Sequence, residues 1–364
     1  MPKITRSDVR VPGDVSAEAR EAYIDNYLKA TRETGRLMLF ACDQKIEHLN
    51  GDFFGADIDL ADACPEHLFQ IGSQGVCGIL AGQRGLIAQY APDYPDINYL
   101  VKMNSKTNLV KGAQEDPYSP QLYSFDAVLE MIDNGINVVG IGYTIYLGSE
   151  YESQMMAEAG ELVAQAHAAG LIAVLWMYPR GKAVTNEKSA HLIAGAAGTA
   201  LCLGADFVKV NPPKGKAEDE PVATAELEAA VAEDAGLVGL KLGGQELSAS
   251  QASARKLIEA SSASGRCGLV CAGGSTVEAP IFLQQLWDQI HIGGARGNAT
   301  GRNIHQRSLD EAVRLTKAIS AITLGDASVE EAVAVFEGKK DFNLTTTPGG
   351  EGGTYYFEMT EILL

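Results

Sequence analysis

Apolar, strand-like runs recur along most of the chain, and what lies between them limits the fold more than any other feature. They fall at Leu37–Cys42, Val76–Ala81, Tyr99–Met103, Val138–Ile145, Leu171–Met177, Ala205–Val210 and Gly268–Ala272. A helical pattern separates most of them, and several helices carry start signals. Ser149…Glu152, Ser275…Glu278, Ser308…Glu311 and Ser328…Glu331 all have the spacing of a capping box. Strands alternating with helices form parallel β/α units. An eighth run, Ala295–Thr300, precedes Gly301-Arg302-Asn303, and eight units close a barrel. The expected fold is therefore α/β, a single (β/α)8 TIM barrel; an open doubly wound sheet is the alternative. A chain of 364 residues, 46% hydrophobic, is ample for that core.

Some stretches lie outside the eightfold pattern. Residues Ser16 to Thr34 predict an amphipathic helix with Tyr23, Ile24, Tyr27 and Leu28 on one stripe, ended by Gly35. It is placed to plug or flank the base of a barrel. Residues 212–250 make a long connection after strand six, and a Gly/Thr-rich tail runs from Gly338. Neither reads as a separate domain, so residues 1–364 form one domain with an N-terminal helical extension (1–35) and a C-terminal tail (338–364). In strand eight Arg296, Asn298 and Thr300 alternate. One face of that strand is polar and should need partners beneath a helix.

The formal charge of −18 argues against nucleic acid or an anionic membrane as a partner. An anionic substrate would need a local basic pocket. There is no apolar run of membrane-spanning length and no charged-then-apolar leader. Six cysteines without a Cys-x-x-Cys pair suit buried thiols in a reducing cytosol, so the expected location is cytoplasmic. The six histidines show no metal-ligand spacing, with His48 beside Glu47 the one suggestive pair. No metal and no cofactor are expected.

Chemistry in a barrel of this kind sits at the C-terminal ends of the strands. Those ends read Asp43, Lys102, Tyr146, Trp176 with Tyr178, Lys209, Gly273-Gly274-Ser275 and Gly301-Arg302-Asn303. Lys209 is the most demanding of them. It shares a strand face with Ala205 and Phe207, and lysine is among the residues least often buried without a partner. Snorkelling over the strand end is one explanation. The other is amine chemistry, in which desolvation turns lysine into a nucleophile toward a carbonyl, at a cost of about 4–5 kcal/mol for bringing it from ~10.4 to near neutrality. The glycines after strand seven and the Gly-Arg after strand eight allow backbone N–H groups to approach an anion, where barrels commonly hold phosphate.

These motifs resemble the archaeal-type class I fructose-1,6-bisphosphate aldolases and their bacterial members, from about Leu37 to Ala321. The matching stretches are Asp43-Gln44-Lys45-Ile46-Glu47-His48, Leu100-Val101-Lys102-Met103-Asn104 and Gly142-Tyr143-Thr144-Ile145-Tyr146-Leu147-Gly148-Ser149. To these are added Trp176-Met177-Tyr178-Pro179-Arg180-Gly181, Gly204-Ala205-Asp206-Phe207-Val208-Lys209, Gly273-Gly274 and Gly301-Arg302-Asn303. The resemblance implies Lys209 as the Schiff-base lysine, Tyr178 as the proton-transfer tyrosine and Asp43 as the carboxylate handling the carbinolamine. It implies Trp176 as a pocket wall, and Gly273, Gly274, Gly301 and Arg302 as the phosphate site. Lys102, Tyr146 and Arg180 are further candidate substrate-binding residues. The implied reaction is reversible, metal-independent cleavage of fructose 1,6-bisphosphate to dihydroxyacetone phosphate and glyceraldehyde 3-phosphate, by a homo-oligomer.

Departures from the family pattern cluster around the substrate. Lys45 stands where the family usually has glycine, and is either a solvated loop lysine or, with Arg180 and Lys182, a holder of the phosphate farther from the imine. Relatives with the same Asp-Tyr-Lys set transfer a ketose fragment in aromatic precursor synthesis, or act as thiolases on a phosphorylated signalling molecule. Those, and a non-catalytic sugar-phosphate-binding protein, are the competing readings.

Overall fold

The computed structural model describes residues 3–110, 115–214, 247–346 and 355–362. Eight strands close into a barrel in chain order, a TIM barrel. They are β1 Leu37–Ala41, β2 Ile79–Gln83, β3 Tyr99–Lys102, β4 Val138–Leu147, β5 Ile172–Pro179, β6 Phe207–Val210, β7 Gly268–Ala272 and β8 Gly297–Thr300. All neighbours are parallel, and β1 closes on β8 from Leu37 opposite Gly297 to Phe40 opposite Thr300.

Strand alternation splits the core into two layers. One lies outside the barrel under the helices and includes Met38, Phe40, Leu80, Tyr99 and Val101. The other includes Leu39, Ala81, Leu100, Val174, Trp176, Phe207, Val270 and Ala299 with residues of the N-terminal helix, and fills the lumen.

The N-terminal helix, α1, spans Arg20–Thr31 and is shorter than the predicted 16–34. It stops where Arg32 and Glu33 turn left-handed, at φ of 50° and 59°. Its predicted stripe seals the barrel floor: Tyr27 stacks on Phe207 with ring centroids 5.8 Å apart, and the Tyr23 hydroxyl donates to Asp206. Burying each such ring is worth roughly 1.5–3 kcal/mol.

The second strand lies three residues later than its predicted start. The Val76 N–H donates to Thr316 Oγ1 and its carbonyl accepts from Ser320 Oγ, so this residue serves the helix Leu309–Thr323 instead of the sheet. The same helix answers the polar face of β8: Asn298 Nδ2 donates to Thr323 Oγ1 at 2.8 Å, and Thr300 Oγ1 donates to Asn298 Oδ1 at 3.0 Å. Of the capping boxes, Ser328 and Glu331 form the full reciprocal pair. Ser275 does not cap, because the next helix begins at Ala279 with Glu278 as its N-cap. Ser149 instead donates to the Pro117 carbonyl.

The tail folds back as an antiparallel pair, β9 Lys340–Thr346 and β10 Tyr355–Glu361, with Phe342 stacked on Phe357 at 5.1 Å. Most of the long connection, residues 215–246, lies outside the described residues.

At the barrel floor, fully buried His167 bridges Asp14 and Asp206, at 2.8 and 3.3 Å. Burial alone would depress its pKa, but bonds to the two carboxylates outweigh it and raise the group to about 9. A histidine raised in the folded state stabilises fully below ~6.5, and loses that contribution as pH climbs through 9. At neutral pH the contribution is about 2–3 kcal/mol. The denaturation midpoint should therefore fall between pH 6.5 and 9 in the native chain and much less in His167→Gln. Equal slopes in the two proteins would show that the bridge is not charged.

Candidate active site

Lys209 and Trp176 are paired neighbours across β5 and β6, and both point into the upper lumen. The Lys209 ammonium lies 5.2 Å from the centre of the Trp176 ring. Lys102, at the end of β3, approaches the same ring at 5.3 Å. The ring fits because it lies over a glycine of β4: a Cβ at Gly142 would stand 2.4 Å from Trp176 Cζ3. Burial lowers the pKa of both lysines, that of Lys102 to about 8. Asp43 and then Glu47 oppose the shift. The two differ in their commitments. Lys102 Nζ donates to the backbone and side-chain oxygens of Asn104, at 3.1 and 3.0 Å. Lys209 instead faces a cavity of about 170 Å³.

Asp43, Glu47, Trp176, Tyr178 and Arg180 line that cavity on the side of β1 and β5. Asp43 lies two residues beyond the end of β1, and Gln83 Nε2 donates to its carbonyl at 2.9 Å. Glu47 stands one turn later on a short helix, Gln44–Glu47, which brings residues four apart onto one face. Tyr178 comes two residues after Trp176, one step nearer the mouth. Burial, then the nearby Asp43 and Glu47 charges, hold its hydroxyl well above the ordinary tyrosine range. It is a protonated group. Arg180 pairs with Glu187 at 3.1 and 3.3 Å and lies 5.7 Å over the Tyr146 ring.

Gly273, Gly274, Gly301 and Arg302 form the opposite wall, after β7 and β8. Gly274 has φ of +71° and nothing within 4 Å of where a Cβ would stand, so the backbone is open to the cavity. Asn303 fixes this loop: its Nδ2 donates to the Gly273 and Ser275 carbonyls, each at 3.0 Å, and its Oδ1 accepts from the Val277 N–H at 3.0 Å. The Gly273 N–H is donated to the Ala299 carbonyl at 3.1 Å, which ties the loop to β8 and makes the Gly274 backbone the part that faces the cavity. Asn303→Ala should raise KM for a phosphorylated ketose about tenfold or more while sparing unphosphorylated dihydroxyacetone, since three bonds of about 1 kcal/mol each position the loop. Equal changes for both substrates would make Asn303 a general support.

The structure brings Asp43, Trp176, Tyr178, Arg180, Lys209, Gly273, Gly274, Gly301 and Arg302 around one cavity. Lys102 and Tyr146 stand behind its wall, buried against Trp176 and Tyr178. Lys45 corrects the expectation: it is not among the lining residues, and its ammonium sits 4.1 Å over the Phe53 ring. Next to an aromatic face, a cation is satisfied without a substrate. Lys182 likewise pairs with Asp116, at 3.4 Å. Glu47, Gln44, His48 and Asn211 also line the cavity; the sequence offered Glu47 and His48 only as a metal-ligand pair and gave none of the four a substrate role. For Glu47 the signal was available, as the carboxylate one helical turn after Asp43. Among the described residues no group of three or more His, Cys, Asp or Glu is arranged to hold a metal ion.

A family model described as DeoC/LacD family aldolase matches residues 37–307, all eight strands included. The chain belongs to that family. The aldolase is 49% identical over 340 residues to a Methanocaldococcus jannaschii protein named fructose-bisphosphate aldolase/6-deoxy-5-ketofructose 1-phosphate synthase, covering 93% of this chain and 97% of that one. A solved fructose-bisphosphate aldolase from Slackia heliotrinireducens is 66% identical, with a TM-score of 0.84 over 94% of this aldolase and 98% of that chain. A solved archaeal fructose-1,6-bisphosphate aldolase, with its catalytic lysine covalently bound to the carbinolamine intermediate, is 25% identical. Its TM-score is 0.63 over 83% of this aldolase and 99% of that chain. As a member of an aldolase family, the protein is a lyase.

Proposed function

We propose that this aldolase cleaves fructose 1,6-bisphosphate reversibly into dihydroxyacetone phosphate and glyceraldehyde 3-phosphate through a Schiff base on Lys209. One observation carries the reading. A desolvated lysine faces a cavity that also holds a carboxylate, Asp43, and a protonated tyrosine, Tyr178, with a glycine and arginine wall for an anion beside them.

The roles follow from chemistry. The unprotonated Lys209 amine attacks the C2 carbonyl, and Asp43 relays the protons that turn the carbinolamine oxygen into departing water. The C3–C4 electron pair then becomes the C2–C3 double bond of an enamine while the iminium π pair moves onto nitrogen, and the aldehyde leaves. Tyr178 protonates the enamine at C3. Gly273, Gly274, Gly301 and Arg302 bind the C1 phosphate, and Arg180 is the cation on the far side of Lys209. Trp176 walls off water beneath the imine, which keeps the lysine desolvated.

A second reading has one specific support, the relative named for both aldolase and synthase activities. In it the same enamine is passed to another aldehyde. Incubating the protein with fructose 1,6-bisphosphate and a strong chelator should release both triose phosphates. Adding a short ketoaldehyde as competing acceptor tests the second reading, whose mark is a new ketose 1-phosphate. Turnover lost to the chelator would overturn the metal-independent reading.

A further inference from the structure

We propose that Glu47 is the base that takes the C4 hydroxyl proton as the C3–C4 bond breaks, an assignment that rests on the Schiff-base reading above. In that step the O–H electrons form the new C4 carbonyl. The C3–C4 pair becomes the C2–C3 double bond of the enamine, the iminium nitrogen is neutralised, and the proton must go to a base in the cavity.

Placement favours Glu47. A substrate whose C1 phosphate lies on the glycine wall of β7 and β8 and whose C2 is bound to Lys209 on β6 extends its remaining carbons toward β5. Glu47 lines the same cavity, and its Oε1 accepts the Tyr146 hydroxyl of β4 at 2.8 Å. Its carboxylate is thereby held on the β4–β5 side, beside Arg180 and Tyr178, both of which respond to its charge.

The other nearby groups are spoken for. Asp43 lines the cavity too, but the mechanism above commits it to the carbinolamine protons at Lys209. Tyr178 must keep its proton for C3. His48 Nδ1 is bound to Asp52 at 2.7 Å, and Glu187 is bound to Arg180. Lys102 lies under Trp176, bonded to Asn104.

The step can be isolated, because dihydroxyacetone phosphate forms the imine and enamine but has no C4. Glu47→Gln keeps the size and the Tyr146 hydrogen bond. It should retain borohydride trapping of dihydroxyacetone phosphate on Lys209, and exchange of a C3 proton with deuterated solvent, within about threefold. Cleavage of fructose 1,6-bisphosphate should fall by roughly 10²–10⁴-fold, the scale for a missing general base. A second variant, Glu47→Ala, should regain part of the cleavage when formate is added, with exchange unmoved.

Exchange and cleavage falling together, or loss of the adduct, would make Glu47 a support of the Lys209 site and overturn the assignment. Unchanged cleavage would overturn it too. Failure of the native protein to form any adduct would overturn the Schiff-base reading, and this assignment with it.

Discussion

Lys209→Ala should abolish turnover and should also abolish the mass that borohydride and dihydroxyacetone phosphate add to the peptide carrying residue 209. The prediction is sharp because a rival lies close by. Lys102 approaches the same Trp176 ring at nearly the same distance, and burial lowers its pKa to about 8. Acidity does not single out Lys209, since burial lowers both lysines. Access and hydrogen bonding separate them. Lys102 spends donors on two Asn104 oxygens and is walled off from the cavity, whereas Lys209 lines it. A nucleophile must present its lone pair to a carbonyl, which a lysine bonded into a closed pocket does not do. Lys102→Ala should therefore keep the adduct. Label found at residue 102 would exchange the two roles.

The second large effect belongs to Tyr178→Phe. The variant keeps the ring that packs against Tyr146 and loses only the hydroxyl, so trapping on Lys209 should survive. Turnover should drop by about 10²–10⁴-fold. Burial and the Asp43 and Glu47 charges keep this hydroxyl protonated far into the alkaline range. Its supply of a proton should not limit the alkaline side of the rate profile. Unchanged turnover in the variant would pass the proton to another group, with Tyr146 next in reach; yet its hydroxyl is already donated to Glu47.

Much of this was legible before any coordinates. Strand-like runs, their glycine punctuation and the residues at their C-terminal ends place Asp43, Tyr178, Lys209 and Arg302 around one mouth. The eightfold topology converts sequence order into spatial order. What the strands do not determine is where a loop side chain turns. Lys45 and Glu47 are two residues apart on one short helix, so they point in different directions. Charge suggested the lysine for the substrate. Phe53, far enough along the chain to be invisible to local reading, takes the lysine and leaves the cavity to the glutamate. The shifted start of β2 has a similar origin, since Val76 is bonded to residues some 240 positions away.

Trp176 stands directly against the nitrogen that would be chemically transformed, and the chain contains just one other tryptophan, Trp287, stacked on His291 at 4.2 Å. The indole therefore doubles as an optical gauge of that nitrogen. A Trp287→Phe background would leave one fluorophore, whose emission is set by whether the neighbouring group is a positive ammonium, a neutral amine or a conjugated imine. The floor that keeps water from Lys209 would also let each of its chemical states be followed in real time, without dye or coupling enzyme.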